Sequence, residues 1–295
     1  MPDTPDFLLF SQHGWADDNR AMIDLAQHVA SDSALIIAPN LGYIETWLRI
    51  EPLIHVVESV ATQQLKQYPD TPIRILGHSM GGLIWLEVLD RHPEWWQRIH
   101  SLVLIASPVG GADLGRLIDP LGIGLGIARD LGVNRKAIAA RVAAKIPTLT
   151  IAGDLGGGTD GTVPVGCTQV QHAQFICLEK LSHPAMRCHE RVAAIIRDFW
   201  EDFSIGEAIA FDEVIRRLYD TPGMTDGQWR DFDQAKVLFH LQNGGTVRYW
   251  MNPFGIKHVF VASPDGTCLY AGFVGWLHSA DLRDALEEIR QDYAP

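Results

Sequence analysis

Gly77-His78-Ser79-Met80-Gly81-Gly82 sets a serine in the pattern G-x-S-x-G, between the apolar run Ile73-Arg74-Ile75-Leu76 and the helical stretch Leu83-Ile84-Trp85-Leu86-Glu87-Val88-Leu89. Strand, tight turn and helix in that order are the setting of a nucleophile elbow, in which the serine hydroxyl stands clear of the sheet at the tip of a strained turn. The glycines let the two backbones approach beside a residue of unfavourable φ/ψ. Met80 opens the helix, so its unpaired N–H faces the place where an oxyanion would form. The plain alternative is a strand-to-helix turn with a capping serine; the flanking strand and helix favour the elbow.

A serine hydroxyl is too weak an acid to attack an ester unaided. A histidine must take its proton, and a buried carboxylate must orient that histidine and stabilise the imidazolium. Among 12 histidines, position selects His183, which precedes Pro184 in a loop between a strand and a long helix and can reach the serine from the strand ends. His189 competes, but Val192, Ala193, Ile196, Phe199 and Trp200 fall along its side of that helix, which suits a hydrogen-bonded core or rim histidine. His78, inside the elbow, suits packing more than proton transfer. Two aspartates are open as the acid: Asp160 in Thr159-Asp160-Gly161, and Asp154 after Ile151-Ala152-Gly153, with Gly156-Gly157-Gly158 as slack between them. Either could instead be a turn aspartate bonded to its own backbone.

Periodicity supplies the elements that would position these groups. Residues 6–12 read as a buried strand ending in Gln12-His13-Gly14-Trp15, and residues 17–29 as a helix with Met22, Ile23, Leu25, Ala26 and Val29 on one side. A second strand at 34–38 stops at Pro39-Asn40, and a longer helix over 50–68 is closed by Pro69. Strands at 101–106, 147–152 and 174–178 follow the elbow, then a helix over 184–203. This alternation predicts an α/β fold, a mostly parallel sheet covered by helices on both faces with its chemistry at the strands' carboxyl ends.

At 295 residues the chain suits one large α/β domain, or one such domain with a small companion. Its formal net charge of −12 would repel nucleic acid or an anionic membrane surface. The opening Met1-Pro2-Asp3-Thr4-Pro5-Asp6 has no basic stretch ahead of Phe7-Leu8-Leu9-Phe10, so no secretory signal is expected. No apolar run nears the roughly 18 residues of a transmembrane helix. Cys167, Cys177, Cys188 and Cys268 lack both C-x-x-C spacing and the density of a disulfide framework. Reduced, mostly buried thiols in a cytoplasmic protein are the expectation.

The series Gln12-His13-Gly14-Trp15, Gly77-His78-Ser79-Met80-Gly81-Gly82, Asp160-Gly161-Thr162-Val163-Pro164 and Ser182-His183-Pro184 resembles an α/β-hydrolase of the lipase and esterase branch. The match spans about residues 6–204 and keeps the family's order of nucleophile, acid and histidine. Ile105-Ala106-Ser107-Pro108-Val109-Gly110-Gly111 also resembles bacterial lipase-like members after the post-elbow strand. The chain enters at what would be the third strand of larger members, so it is similar to the compact form lacking the first two. The resemblance implies Ser79 as nucleophile, His183 as base and Asp160, shortly before a Val-Pro pair, as acid. It also implies an oxyanion hole made by the backbone N–H groups of Trp15 and Met80; the plain alternative is a β-to-α turn in which Trp15 packs. Caps and lids are inserted where residues 108–145 fall, and the glycine-rich stretch 117–128 would line an acyl pocket or pack as ordinary helix.

Beyond residues 1–204, the expected catalytic domain, the pattern changes. Residues 205–295 read as an α+β appendage: a helix over 207–219, a short helix over 226–233, strands at 236–242, 246–251, 256–263 and 267–274, and a closing helix over 279–290. Asn243-Gly244-Gly245, Asn252-Pro253 and Pro264-Asp265-Gly266 supply turns for an antiparallel meander. His240, His258 and Cys268 could be imagined as metal ligands, but alternation along strands scatters them. Its role could be homodimer formation, partner binding or covering the catalytic domain. The expected function is a serine esterase or lipase acting on a small or lipid-like ester with no metal or organic cofactor; the alternatives are a thioesterase or acyltransferase of the same chemistry, and a non-hydrolytic binder.

Overall fold

Leu8–Gln12 (β1) is buried at all five positions, as a strand covered on both faces must be. The computed structural model describes residues 4–111, 126–202 and 213–295. After β1 come Arg20–Val29 (α1), Leu35–Ile37 (β2), Ile50–Gln67 (α2), Ile73–His78 (β3), Met80–Arg91 (α3) and Ile99–Ile105 (β4). Ile127–Leu131 (α4), Lys136–Ala143 (α5), Thr148–Asp154 (β5), Gln174–Glu179 (β6) and Glu190–Glu201 (α6) complete the first layer system. Its six strands lie in the order β2-β1-β3-β4-β5-β6, and every pairing is parallel.

Alternate residues of the same strands feed two cores. Leu8, Phe10, Ile73, Ile75, Leu102 and Leu104 pack toward α2, α3 and α5. Leu9, Leu76, Val103, Ile105, Leu149 and Ile151 face α1 and α6. The sheet is thus held from both sides, and the loops at its carboxyl edge stand on a fixed base.

The expected helix over 184–203 is two pieces. His183–Arg187 is a 3-10 turn with Pro184 in its first positions, and α6 begins only after His189, whose Nδ1 accepts the Arg191 N–H at 3.1 Å. His189 therefore caps a helix at its rim. The glycine-rich stretch 117–128 falls mostly outside the described residues, as do the first residues of the expected helix over 207–219. Of the cysteines, expected to be mostly buried, Cys167 is buried and Cys268 half-buried, but Cys177 on edge strand β6 and Cys188 before α6 are exposed; all four are free thiols.

The carboxyl-terminal unit contains Glu213–Asp220 (α7), Met224–Asp226 (β7), Lys236–His240 (β8), Thr246–Met251 (β9), Lys257–Ala262 (β10), Cys268–Val274 (β11) and Ser279–Tyr293 (α8). Its antiparallel sheet has the order β7-β11-β10-β9-β8. The short helix expected over 226–233 is instead the end of β7 and a 3-10 turn over Trp229–Gln234. Three residues are too few to show strand periodicity; β7 exists because Gly272, Phe273 and Val274 of β11 pair with it. Helices α7 and α8 cover one sheet face. His258 is buried among the rings of Trp250, Phe260 and Phe273, while His240 lies exposed on edge strand β8.

A buried ion pair joins the two units: Lys136 Nζ of α5 lies 2.7 Å from Asp226 Oδ2 of β7 and 3.7 Å from the centre of the Tyr219 ring. Burial pushes the Asp226 carboxyl up, against the pull of Lys136. Removing one partner strands the other in a dry site. Lys136→Met should therefore destabilise the protein by about 3–5 kcal/mol, and Lys136→Met with Asp226→Leu should recover most of that loss. Urea midpoints read by tryptophan fluorescence check both; a single variant as stable as wild type would show that the pair contributes nothing.

Candidate active site

The carboxyl ends of β1, β3, β5 and β6 deliver the chemistry-bearing groups. Ser79 follows β3 at φ 54° and ψ −125°, a conformation costly for a non-glycine residue. It is held there from both sides. Its N–H donates to Ile105 O of β4 at 2.8 Å, and α3 begins at once with Met80, Gly81, Gly82, Leu83, Ile84, Trp85 and Leu86 all buried. The turn cannot relax without unpacking the helix.

The loop after β1 presses against this turn. A Cβ on Gly14 would fall 2.8 Å from Ser79 Cβ, 3.0 Å from His78 O and 3.3 Å from Met80 N, so only glycine fits. The Trp15 N–H, next along the chain, thereby enters the same neighbourhood as the Met80 N–H. His13 fixes the loop from behind: its Nδ1–H donates to Gly14 O at 3.0 Å, and its Nε2 accepts the Leu41 N–H at 3.0 Å. Burial pushes this imidazole down, so it is neutral at pH 7, as that bonding pattern requires. Sequence reasoning quoted His13 only as part of a motif; a histidine directly after a buried strand was the available signal.

The two candidate acids have different partners. Asp160, 2% exposed, accepts the His183 Nδ1–H on Oδ2 at 2.7 Å, while Oδ1 accepts the N–H groups of Thr162 at 2.9 Å and Val163 at 2.7 Å. The Asp160 carbonyl also accepts the His183 N–H at 3.0 Å. Asp154 uses Oδ1 on the N–H groups of Gly156 (2.7 Å), Gly158 (3.2 Å) and Thr159 (3.2 Å), so it shapes the loop that carries Asp160. With its Nδ1–H given to Asp160, the His183 ring keeps Nε2 free as an acceptor.

His78 brings the elbow to this pair. Its ring centroid lies 4.8 Å from that of His183, and its Nε2–H donates to His183 O at 3.2 Å. An ion pair between Arg187 and Asp17 also ties the His183 segment to the loop after β1. Among the described residues the Ser79 hydroxyl shares no direct hydrogen bond with the His183 ring. Such contacts commonly tighten only around bound substrate. The structure therefore joins Asp160 to His183 directly and links the elbow to His183 through His78.

The first sheet, its elbow and its helix order are those of a known fold, and residues 8–139 match the family model of the alpha/beta hydrolase fold. The first unit has the α/β-hydrolase fold. A comparison with curated proteins finds no match. Among solved structures, the mature form of lipase BlEst2 from Bacillus licheniformis superposes with a TM-score of 0.52 at 15% identity, covering 68% of this chain and 93% of that one. The propeptide form of the same lipase gives 0.54 at 12% identity, over 92% of this chain and 72% of that one. Est1E from Butyrivibrio proteoclasticus, with ferulic acid bound, gives 0.52 at 14% identity, over 67% and 89%. At such identities the likeness is one of fold.

The buried histidines of this hydrolase fold carry a pH consequence. Burial holds His78 well below the ordinary histidine value of 6.5, with nearby His183 adding to the effect, so the folded state keeps it neutral where the unfolded chain would protonate it. Its stabilising contribution is present above about pH 6.5 and is lost as pH falls below that value. The urea midpoint should thus drop between pH 7.5 and 5.5, and His78→Gln should shrink the drop without abolishing it, since burial lowers His13 likewise. Equal slopes in the two proteins would contradict this account.

Proposed function

We propose that the protein is a serine hydrolase of carboxylic esters, lipase- or esterase-like, acting through an acyl-enzyme on Ser79. The observation that carries this reading is the 2.7 Å contact between Asp160 Oδ2 and His183 Nδ1, linked through His78 to a strained elbow serine. A binding protein has no physical need for that arrangement. In the proposed cycle Ser79 Oγ attacks the ester carbonyl while His183 Nε2 takes its proton, and Asp160 steadies the imidazolium. The N–H groups of Met80 and Trp15 receive the developing oxyanion, each worth about 10²–10³ in rate. His183 returns the proton to the leaving alcohol, then activates water to release the acid.

An apolar rim beside the site supports an ester with an apolar or aromatic part. Tyr43, Ile44, Trp47 and Leu48 are 57%, 72%, 40% and 61% exposed, and the Trp47 ring lies 4.4 Å from that of Trp15. Solvent-facing groups of that size, clustered against the loop after β1, suit an acyl or aryl substituent better than water. The ferulic acid held by Est1E is a ligand of that kind. Thioester cleavage and acyl transfer would use the same groups. No helix among the described residues is long and apolar enough to cross a membrane. The exposed thiols of Cys177 and Cys188 suit a reducing compartment, for which the cytoplasm is our proposal.

A fluorophosphonate probe should label the wild type and not Ser79→Ala; an inert wild type would remove the enzymatic reading and leave ligand binding. Asp160→Asn should lower kcat by about 10²–10⁴-fold by analogy with other triads, and Asp154→Asn by far less. The reverse ranking, measured on a p-nitrophenyl ester, would exclude Asp160 as the acid. A series of p-nitrophenyl esters of increasing acyl length then reads the depth of the pocket.

A further inference from the structure

Gly156-Gly157-Gly158 looks like slack in the sequence, yet two of its N–H groups are bound by Asp154, and Gly158 is in close contact with the other unit. A Cβ on Gly158, at φ +77°, would fall 2.7 Å from Trp229 Cδ2, 2.9 Å from Cε3 and 3.1 Å from Cε2. The indole therefore lies directly against the bare backbone two residues before Asp160. Trp229 is itself rooted in the carboxyl-terminal sheet, where it packs with Phe260, Ala271 and Ala235.

A second grip lies on the other side of Asp160. Lys136, paired with Asp226 of β7, donates from Nζ to Gly166 O at 3.3 Å. Between the two grips the stretch 158–166 is braced internally: the Val165 N–H donates to Gly158 O at 2.8 Å, and Thr159 bridges Pro164. Asp160 sits inside this braced span, and no other group accepts its partner's Nδ1–H. A shift of the 158–166 span moves the carboxylate relative to His183, whose segment follows β6 and is held also by His78 and by the Arg187–Asp17 ion pair.

We propose that Trp229 is a positioning residue for Asp160, so that the carboxyl-terminal unit works as part of the catalytic apparatus through the acid-bearing loop. This rests on the esterase reading for its kinetic consequence but not for its structural one. Misplacing a catalytic group by about 1 Å can cost about 10²-fold in rate.

The test uses the full chain with Trp229→Ala, Trp229→Phe, Gly158→Ala and the double variant Gly158→Ala/Trp229→Ala. For p-nitrophenyl acetate, Trp229→Ala should lower kcat by about 10-fold to 10²-fold with KM little changed, and Trp229→Phe, which keeps an aromatic face, should restore most of it. Gly158→Ala, which leaves the carboxyl-terminal core untouched, should reproduce the loss; at φ +77° the methyl group strains the backbone as well as meeting the indole, so the double variant should recover only the part due to the ring. In parallel, the far-downfield proton NMR signal of the His183 Nδ1–H bound to a carboxylate should be present in wild type and Trp229→Phe, and weakened or moved upfield in Trp229→Ala and Gly158→Ala. Wild-type kcat and an unmoved signal in Trp229→Ala or in Gly158→Ala overturn the proposal. So does a loss of kcat that Trp229→Phe shares in full. If wild type cleaves no ester, the esterase reading fails alone, and the NMR signal still decides whether Trp229 holds Asp160 on His183.

Discussion

Ser79 is held at φ 54°, ψ −125°, and the rest of the first unit is arranged so that it cannot leave. Backbone of this kind costs about 1–3 kcal/mol and persists only where its surroundings over-determine it. Here the restraint comes from the two cores. Strand β3 is buried on both faces, and helix α3 is buried along nearly its whole length, so both flanks of the turn are fixed by packing. The strain is local, and the packing that opposes it spans the sheet.

Around that fixed point the loops are tied by polar groups that water cannot reach. His13 joins the loops after β1 and β2, His78 joins the elbow to the His183 segment, and Asp160 joins that segment to the loop after β5. Each contact is a directed hydrogen bond with at least one buried partner, where an unmade bond costs about 1–3 kcal/mol. Burial also decides protonation: it keeps His13 and His78 neutral, so neither adds positive charge beside the imidazolium that the proposed mechanism forms on His183. The two aspartates of the β5 loop show the same logic from the other side. Asp160 spends one oxygen on backbone and one on histidine, whereas Asp154 spends Oδ1 wholly on backbone.

Much of this was legible in the letters because the first unit is locally consistent. The strands of its sheet are continuous apolar runs, its helices carry 3.6-residue periodicity, and the glycines of the elbow stand where two backbones meet. The choice between Asp154 and Asp160 was harder, since both follow the same strand in turn-forming context, and only the three-dimensional course of the glycine run separates their partners. What could not be read depends on distant partners. Strand β7 is three residues long and is defined by β11, almost fifty positions later in the chain. The helix expected across Pro184 breaks because His189 caps the next turn, a competition between two local signals that periodicity alone does not rank. Lys136 and Asp226 carry no motif, and their pairing follows from the docking of the two units.

The glycine run explains why that docking bears on the site. A loop that carries a buried acid needs a fixed path, and side chains of its own would normally supply the packing that fixes it. Residues 156–158 have none, so the path must be held by other means: Asp154 from within, through backbone N–H groups, and Trp229 from outside, through contact with bare backbone. A side chain at Gly158 would exclude the indole. The same absence of a Cβ that makes the tract look like slack in a linear reading therefore lets the second unit reach the backbone beside Asp160, and the two units share one loop where an appendage would only share a surface.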